Sequence, residues 1–542
     1  MKNTLKLSAL LLVGVIGLIA TTSSPDHGRF FEISKNLEVF TNLYKELNTY
    51  YVDEIDPAVV MRTGIDAMVE SLDPYTNYIS ESEIEGYRLM TEGRYDGLGA
   101  DFVNIHEEIV LVQTHAESPA VKAGLKAGDI LLEVDGNRVE GKKIEQVNEI
   151  LKGFPGTEVE IKVNRPGSGE QTIKATRAEI NLPNVPYSGV IRDGIAYVAL
   201  SQFTKDAGRN VQNALQEVRD ENPDIKGIVL DLRSNPGGLL QEAVNVTNIF
   251  VPKGERVVTT KGKVKEWNRS FKTLKNPAFP DMPVVVLING SSASASEIVA
   301  GAIQDLDRGV LIGQRSFGKG LVQNQKDVGY NSRLKLTIAK YYIPSGRCIQ
   351  GVEYEDGEPV DIPDDQRTKF KTVGGRTVLD GGGVKPDMVI DRDDDSDILN
   401  ILTKEWIVFD FATEYAVKNA DIGPVDDFQF TAWNDFVTFL EKREFNYDTP
   451  AEQKLNALAD QVETDHYLKA ADIKALQAKI QTAKRAELEQ HKELILDLIE
   501  KEIASRYYLQ EGRIRIGLRN DQEVVDAVET LIDPAKYAKL LK

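Results

Sequence analysis

Apolar residues recur at Ile33, Leu37, Phe40, Tyr44 and Leu47, a spacing that places them along one face of a helix. A second helix is predicted through Ile65, Met68 and Leu72, and Asp73-Pro74-Tyr75 stops it, because proline disfavours helix in the residue before it. These segments predict a helical unit over residues 30–86. From 87 to 178 the pattern changes to short apolar runs, 109–112 and 130–134, with turn signals such as Asp135-Gly136 between them and one short helix around 144–151. Over 185–390, strands at 195–200, 227–232, 284–288 and 309–313 alternate with helices at 239–251 and 295–305, the order of an α/β core with a substantially parallel sheet. The acidic run from Asp391 to Asp397 marks a boundary, either a linker or a solvated helix start. Beyond it, 396–542 reads as a helical accessory domain, with Ile473, Leu476, Ile480 and Ala483 on a narrow stripe that serves its own core or a partner. That partner would be an adaptor or a second copy of the chain.

A length of 542 residues fits this division into several domains, and 41% hydrophobic residues with ordinary glycine and proline exclude collagenous and wholly disordered chains. Sixty-five basic residues against 85 acidic ones leave a formal net charge of −20, which argues against a nucleic-acid partner. The single cysteine, Cys348, forms no internal disulfide or CxxC zinc site and is read as a core residue. At the N-terminus, Lys2 and Lys6 precede an apolar run from Leu7 to Ala20 and then Thr21 to Ser24, the order of an export signal. Residues 1–24 are thus expected to act as a signal peptide or a retained anchor, directing the protein to the periplasm or cell envelope.

Histidine narrows the chemistry. The five are His27, His106, His115, His466 and His491, and none lies in the α/β core, which disfavours a Ser-His-Asp triad or a histidine-rich metal site there. Two other segments carry nucleophilic potential. Residues 290–297, Gly-Ser-Ser-Ala-Ser-Ala-Ser-Glu, lie between a strand and a helix, where small residues expose a nucleophile and helix N–H groups face developing negative charge. Residues 316–323, Ser-Phe-Gly-Lys-Gly-Leu-Val-Gln, bring a lysine in a glycine turn. Taken singly, the first suits an N-cap and the second a solvated turn. Upstream, Asn235-Pro236-Gly237-Gly238 offers glycine N–H groups that either approach an oxyanion or cap a helix.

Two resemblances join these pieces. The segment Gly97-Leu98-Gly99-Ala100-Asp101-Phe102, with Ser118-Pro119-Ala120 and Ala123 to Asp129, resembles a PDZ domain, whose Leu98, Gly99 and Ala100 would present backbone N–H groups to a C-terminal carboxylate. Over about 35–390, "SSASASEIVAGAIQD" and "SFGKGLVQ", with "LDPYTNY", "DLRSNPGG", "YYIPSGRCIQ" and "GVKPD", resemble the carboxyl-terminal processing proteases. That resemblance implies a multidomain α+β chain with a crotonase-like α/β protease core, an inserted PDZ domain, and helical units at both ends. It implies Ser294 as nucleophile, Lys319 as general base, Gln323 as the residue orienting the lysine and Glu297 as a supporting polar residue. It further implies an oxyanion hole from Gly237 and the N–H of Ala295, with Gly238 as the alternative donor, and substrates that are proteins or peptides with free C-termini.

The chemistry of the residues agrees with this assignment. At an unperturbed pKa of about 10.4, only ~0.04% of a lysine is neutral at pH 7. Desolvation lowers that pKa, and Phe317, Leu321 and Val322 are available to line such a pocket. An ionised Glu297 beside the amine would act in the opposite direction, so it is read as a structural ligand or a helix N-terminal charge. The scheme requires no metal or organic cofactor. Two other readings remain at this level: a non-catalytic PDZ scaffold that binds tails, and an acyl-CoA enzyme of the crotonase type.

Overall fold

Six strands form the central sheet, in the order Tyr187–Val190, Ile195–Ala199, Gly227–Asp231, Val284–Ile288, Val310–Gly313 and Met388–Val389. The first pair is antiparallel and every later pair parallel. The computed structural model describes residues 26–542 except 352–353, 356–357, 360–362, 391–396, 444, 446–449 and 466–468. The apolar segment 1–24 and the acidic run as far as residue 396 therefore lie outside the described residues. The described residues form two compact units, 26–79 with 325–336, and those between 80 and 324 with those between 337 and 542.

In the smaller unit, helices Asp26–Tyr50 and Pro57–Glu70 are followed by strand Asn77–Ile79, which pairs antiparallel with Arg333, Leu334 and Lys335. Asp56 caps the second helix by accepting the Ala58 N–H at 2.8 Å. The predicted break falls where expected. Asp73 Oδ1 accepts the N–H groups of Tyr75 and Thr76, each at 2.9 Å, and so builds a turn that no helix can continue through. Among the described residues nothing buries the apolar stripe of the first helix, and Ile33, Leu37, Phe40 and Leu47 are all exposed.

Residues 94–181 hold the PDZ-like body, with strands in the order Ala100–Ile105, Glu108–Thr114, Ile130–Val134, Glu158–Arg165 and Gly169–Thr176. Strand Ala100–Ile105 is the sheet's edge. Leu98, Phe102, Val147 and Leu151 share one buried cluster, which seats the helix Ile144–Leu151 on this body.

The central strands are apolar at nearly every position because both faces are covered. Ala196, Val198, Ile228, Leu230, Val284, Val286 and Leu311 pack with the helices Ala207–Glu221, Leu240–Thr247 and Ala295–Asp305. The alternate positions, including Ile195, Tyr197, Val229, Val285, Leu287 and Ile312, pack with Val524, Ala527, Val528 and Leu531 of the helix Gln522–Ile532. The final helices of the accessory region thus form one layer of the protease core. Helix Leu240–Thr247 is shorter than its apolar pattern predicts, because the Asn248 side chain accepts the N–H groups of Leu274 and Lys275 and donates to Val251 and Lys275 carbonyls, fixing a turn.

The helical region has its own aromatic core of Phe411, Phe430, Trp433, Phe436 and Phe439, joined by Ile495, Ile499 and Ile503. Of the stripe expected at 473–483, only Ile473 is buried, whereas Leu476 and Ala483 are exposed. No helix among the described residues is long and apolar enough to cross a membrane.

Leu531 lies 5% exposed against the sheet, close enough that a Cβ built on Gly227 would come within 2.9 Å of it. Leu531→Ala is expected to destabilise the core by about 2–4 kcal/mol, measured as an earlier urea unfolding midpoint at unchanged slope. An unchanged midpoint would mean that this helix rests on the sheet without supporting it.

Candidate active site

Beyond strand Val284–Ile288 the chain makes a tight turn before helix Ala295–Asp305 begins. Ser292, fully buried, holds the turn by donating its hydroxyl to Leu232 O at 2.8 Å and accepting the Asn289 N–H at 2.9 Å. Ser294 then adopts φ 54° and ψ −109°, a positive-φ conformation that a non-glycine residue keeps only when its surroundings enforce it. Those surroundings can be named.

Glu297, one turn into the helix, is completely buried. Its Oε2 accepts the Ser294 N–H at 2.7 Å and the Lys319 N–H at 2.9 Å. Its Oε1 accepts the Ser316 hydroxyl at 2.6 Å and the Gly318 N–H at 2.7 Å. Ser294 and Lys319 therefore bond through their backbone to the same oxygen, so their nitrogens are no farther apart than the sum of those two distances. Burial pushes the Glu297 carboxyl up to about 7, while the four donors, Ser316 foremost, pull it back toward ionisation. On the opposite side, the buried Tyr341 hydroxyl lies against Lys319 O at 2.6 Å and Ser294 O at 3.0 Å.

Ala295 opens the helix, and its N–H makes no hydrogen bond among the described residues, as expected for a first-turn donor. Gly237 lies directly beside it, since a Cβ there would meet Ala295 N at 2.9 Å and Ser294 Cβ at 2.8 Å. The Gly237 N–H, however, donates to Asn235 Oδ1 at 2.9 Å. The Gly238 N–H makes no such bond among the described residues.

Gln323 Nε2 donates to Thr337 Oγ1 on the neighbouring strand at 3.2 Å. Leu321 and Val322 are partly buried, and Val322 packs on the main core. Phe317 departs from expectation: its N–H is fixed to Ser292 O at 3.0 Å and its ring is left 49% exposed, so it does not wall the lysine from water.

At the PDZ-like loop, Gly99 has φ 73° and approaches Ser118 so closely that a Cβ would lie 2.3 Å from the Ser118 Cβ. The carbonyls of Leu98 and Gly99 turn inward, accepting from Ala120 at 2.9 Å and His115 at 2.9 Å. Burial, with the Asp101 charge second, raises the pKa of the neighbouring Tyr95 hydroxyl to about 12, the backbone of Ala100 and Gly99 acting against that rise. Sequence reasoning missed Tyr95 and Tyr341. Both are ordinary aromatic positions in strand patterns, and only the fold shows where their hydroxyls end. Among the described residues no cluster of His, Cys, Asp and Glu is arranged to hold a metal.

Comparison with known proteins extends this picture. The profile described as Peptidase family S41 matches residues 194–357, that of the PDZ domain matches 97–176, and "Probable PDZ-protease, C-terminal helical domain" matches 398–531. The combination defines a serine peptidase carrying a PDZ domain and a helical C-terminal domain. The "Carboxy-terminal-processing protease" of Bartonella bacilliformis is 38% identical over 321 residues, 59% of this chain and 73% of that protein. The "Probable CtpA-like serine protease" of Staphylococcus aureus is 34% identical over 334 residues, 60% of this chain and 65% of that protein. The solved photosystem II D1 C-terminal processing protease matches at 26% identity with a TM-score of 0.34, over 65% of this chain and 92% of that one. The chain belongs to the carboxy-terminal-processing protease family and is a serine-type peptidase.

The elevated Glu297 pKa sets a sign for stability. Between the ordinary glutamate value and about 7 the folded chain retains a proton that the unfolded chain has released, so this group's contribution falls as pH rises through that window. Glu297→Gln is expected to remove that slope, changing the difference in unfolding free energy between pH 5 and pH 8 by up to about 3 kcal/mol relative to the parent. Identical pH profiles for the two proteins in urea unfolding would contradict it.

Proposed function

We propose that Ser294 is the nucleophile and Lys319 the general base of peptide-bond hydrolysis, and that the PDZ-like loop at Leu98, Gly99 and Ala100 captures the substrate's C-terminal carboxylate. The observation that carries this reading is the shared oxygen of Glu297, which brings the Ser294 and Lys319 segments together though 25 residues separate them.

In this scheme neutral Lys319 accepts the Ser294 hydroxyl proton as Oγ adds to the scissile carbonyl. The oxygen of the tetrahedral adduct takes up negative charge and is met by the Ala295 N–H at the start of the helix, with a glycine N–H beside it. For Gly237 to serve, its N–H must leave Asn235 Oδ1, whereas Gly238 has no such bond to break. Collapse of the adduct returns the proton from lysine to the leaving amine, and water then attacks the acyl-serine with Lys319 again acting as base. Glu297 bonds to backbone donors and a serine hydroxyl, which satisfies its charge within the scaffold.

Tail capture is supported by the edge position of strand Ala100–Ile105, which leaves backbone groups open for an added strand. The adjoining helix Ile144–Leu151 and the partly buried Ala100 and Ile144 give that groove an apolar lining suited to an apolar tail. Lys2, Lys6 and the apolar run behind them favour an exported enzyme acting in the periplasm or cell envelope.

The direct test compares the protein lacking residues 1–24 with its Ser294→Ala and Lys319→Ala forms on a loosely folded substrate with an apolar C-terminus, read by mass spectrometry. Each substitution is expected to lower turnover by roughly 10³-fold or more while leaving the fold intact. Near-parental cleavage by either variant would refute the assignment of that residue. Blocking a tail peptide as its C-terminal amide should weaken binding about tenfold or more, a loss of ~1.4 kcal/mol. Equal affinities for acid and amide would place recognition away from the carboxylate.

A further inference from the structure

Arg233, the arginine of "DLRSNPGG", has no part in the scheme above, yet its guanidinium is only 12% exposed and meets three carboxylates. Its Nε lies 3.0 Å from both oxygens of Asp231, and its Nη2 lies 2.5 Å from Asp231 Oδ2. Nη1 reaches Asp521 Oδ2 at 2.5 Å and Glu523 Oε2 at 2.6 Å. Asp231 ends a central strand and also accepts the Tyr197 hydroxyl at 2.7 Å. Asp521 and Glu523 come from the other end of the chain, at the cap and first turn of helix Gln522–Ile532.

The backbone beyond Arg233 leads directly to the glycines. Ser234 takes φ 57° and donates its N–H to Asn289 Oδ1 at 2.8 Å. Asn235, fully buried, donates its side chain to Leu200 O at 2.7 Å, and its carbonyl accepts the Ala293 N–H at 3.0 Å and the Ser296 hydroxyl at 2.9 Å. This loop therefore braces both sides of Ser294, and Arg233 anchors its first residue.

Attachment of the terminal helix does not require this cluster, because Val524, Ala527, Val528 and Leu531 already seat it on the sheet. Desolvating one arginine with three carboxylates is a poor source of stability, whereas a planar fork held on two edges fixes position well. We propose that Arg233 is a positioning residue for the oxyanion site, and that Asp521 and Glu523, supplied by the C-terminal helical domain, make that domain part of the catalytic centre. The proposal rests on the reading of Ser294, Ala295 and the Gly237-Gly238 pair given above.

The test uses the otherwise intact chain carrying Arg233→Lys, which keeps the charge and loses the fork, and separately the double substitution Asp521→Asn with Glu523→Gln, which keeps shape and removes charge. Four quantities are compared per folded molecule: kcat and KM on a peptide substrate, affinity for an uncleavable tail peptide, and affinity for a peptide aldehyde whose adduct with Ser294 places an oxygen in the oxyanion position. Both variants are expected to lose 10- to 100-fold in kcat and a similar factor in aldehyde affinity, with KM and tail affinity within twofold of the parent. A role confined to holding the fold would lower the folded fraction and leave the ratio of aldehyde to tail affinity unchanged. That result in the double variant would overturn the proposal even if Arg233→Lys failed to fold. Retained cleavage by Ser294→Ala would instead remove the underlying assignment, so the two failures are distinguishable.

Discussion

A single buried carboxylate organises the centre of this molecule. Glu297 has no access to water, and an isolated charge in that position would be strongly unfavourable. Four donors converge on its two oxygens, from Ser294, Ser316, Gly318 and Lys319, and each is a group that would itself be costly to bury unbonded. Carboxylate and donors thus satisfy one another, and the result is geometric. Ser294 is held in a backbone conformation that serine does not adopt freely, and the lysine loop is drawn against it. Tyr341 closes the other side through the carbonyls of the same two residues, so each is fixed through both its N–H and its C=O.

The helix that begins at this clamp is equally constrained at its far end. Gln304 and Asp305 meet the buried Arg347, at 2.8 Å each, and Asp305 Oδ2 accepts the Ser345 N–H at 2.9 Å. Asp387 joins the group, accepting from Gln304 at 2.8 Å, Leu311 N–H at 2.9 Å and Arg376 at 2.5 Å. These residues belong to motifs that lie far apart in the chain. Their shared work is to lock the C-terminal end of helix Ala295–Asp305, all eleven residues of which are buried. With both ends fixed and every face packed, this helix has little freedom to shift, and Ser294 inherits its position from it.

Much of this was legible in the sequence because the governing patterns are local. The strands at 284–288 and 309–313 and the helices at 144–151 and 295–305 follow from apolar runs, turn residues and caps, and the structure reproduces them to within a residue. Ser294, Lys319 and Glu297 were nameable because short motifs carry them. What escaped depends on distant partners. The near-continuous apolar strands 227–231 and 284–288 indicate burial on both faces, yet nothing local says that the second cover is the helix Gln522–Ile532, more than 200 residues downstream of either. Tyr341 looks like a strand aromatic until its hydroxyl meets the carbonyls of Ser294 and Lys319, and the exposure of Phe317 follows from a backbone bond to Ser292 that no spacing rule anticipates. The stripes at 33–47 and 473–483 show the reverse error: periodicity predicts an apolar face but not what covers it.

The helical domain is the clearest case of long-range dependence, since it packs on two bodies at once. Trp406 and Phe409 pack against Ile105, Val110 and Ile130 of the PDZ-like sheet. Thr413 and Val417 fit so closely at Gly128 and Gly167 that a Cβ on either glycine would lie within 2.4 Å and 2.5 Å of them. Its last helices cover the protease sheet. Contacts between domains are commonly polar and permissive of motion, but apolar packing at this closeness resists sliding, because even a small displacement opens voids or forces atoms to overlap. The PDZ-like body and the protease core are therefore not simply beads on a string. Each is built against a common third element, and the carboxylates that this element extends to Arg233 lie at the C-terminal end of the central strand Gly227–Asp231, where the loop leading to Gly237 and Gly238 begins.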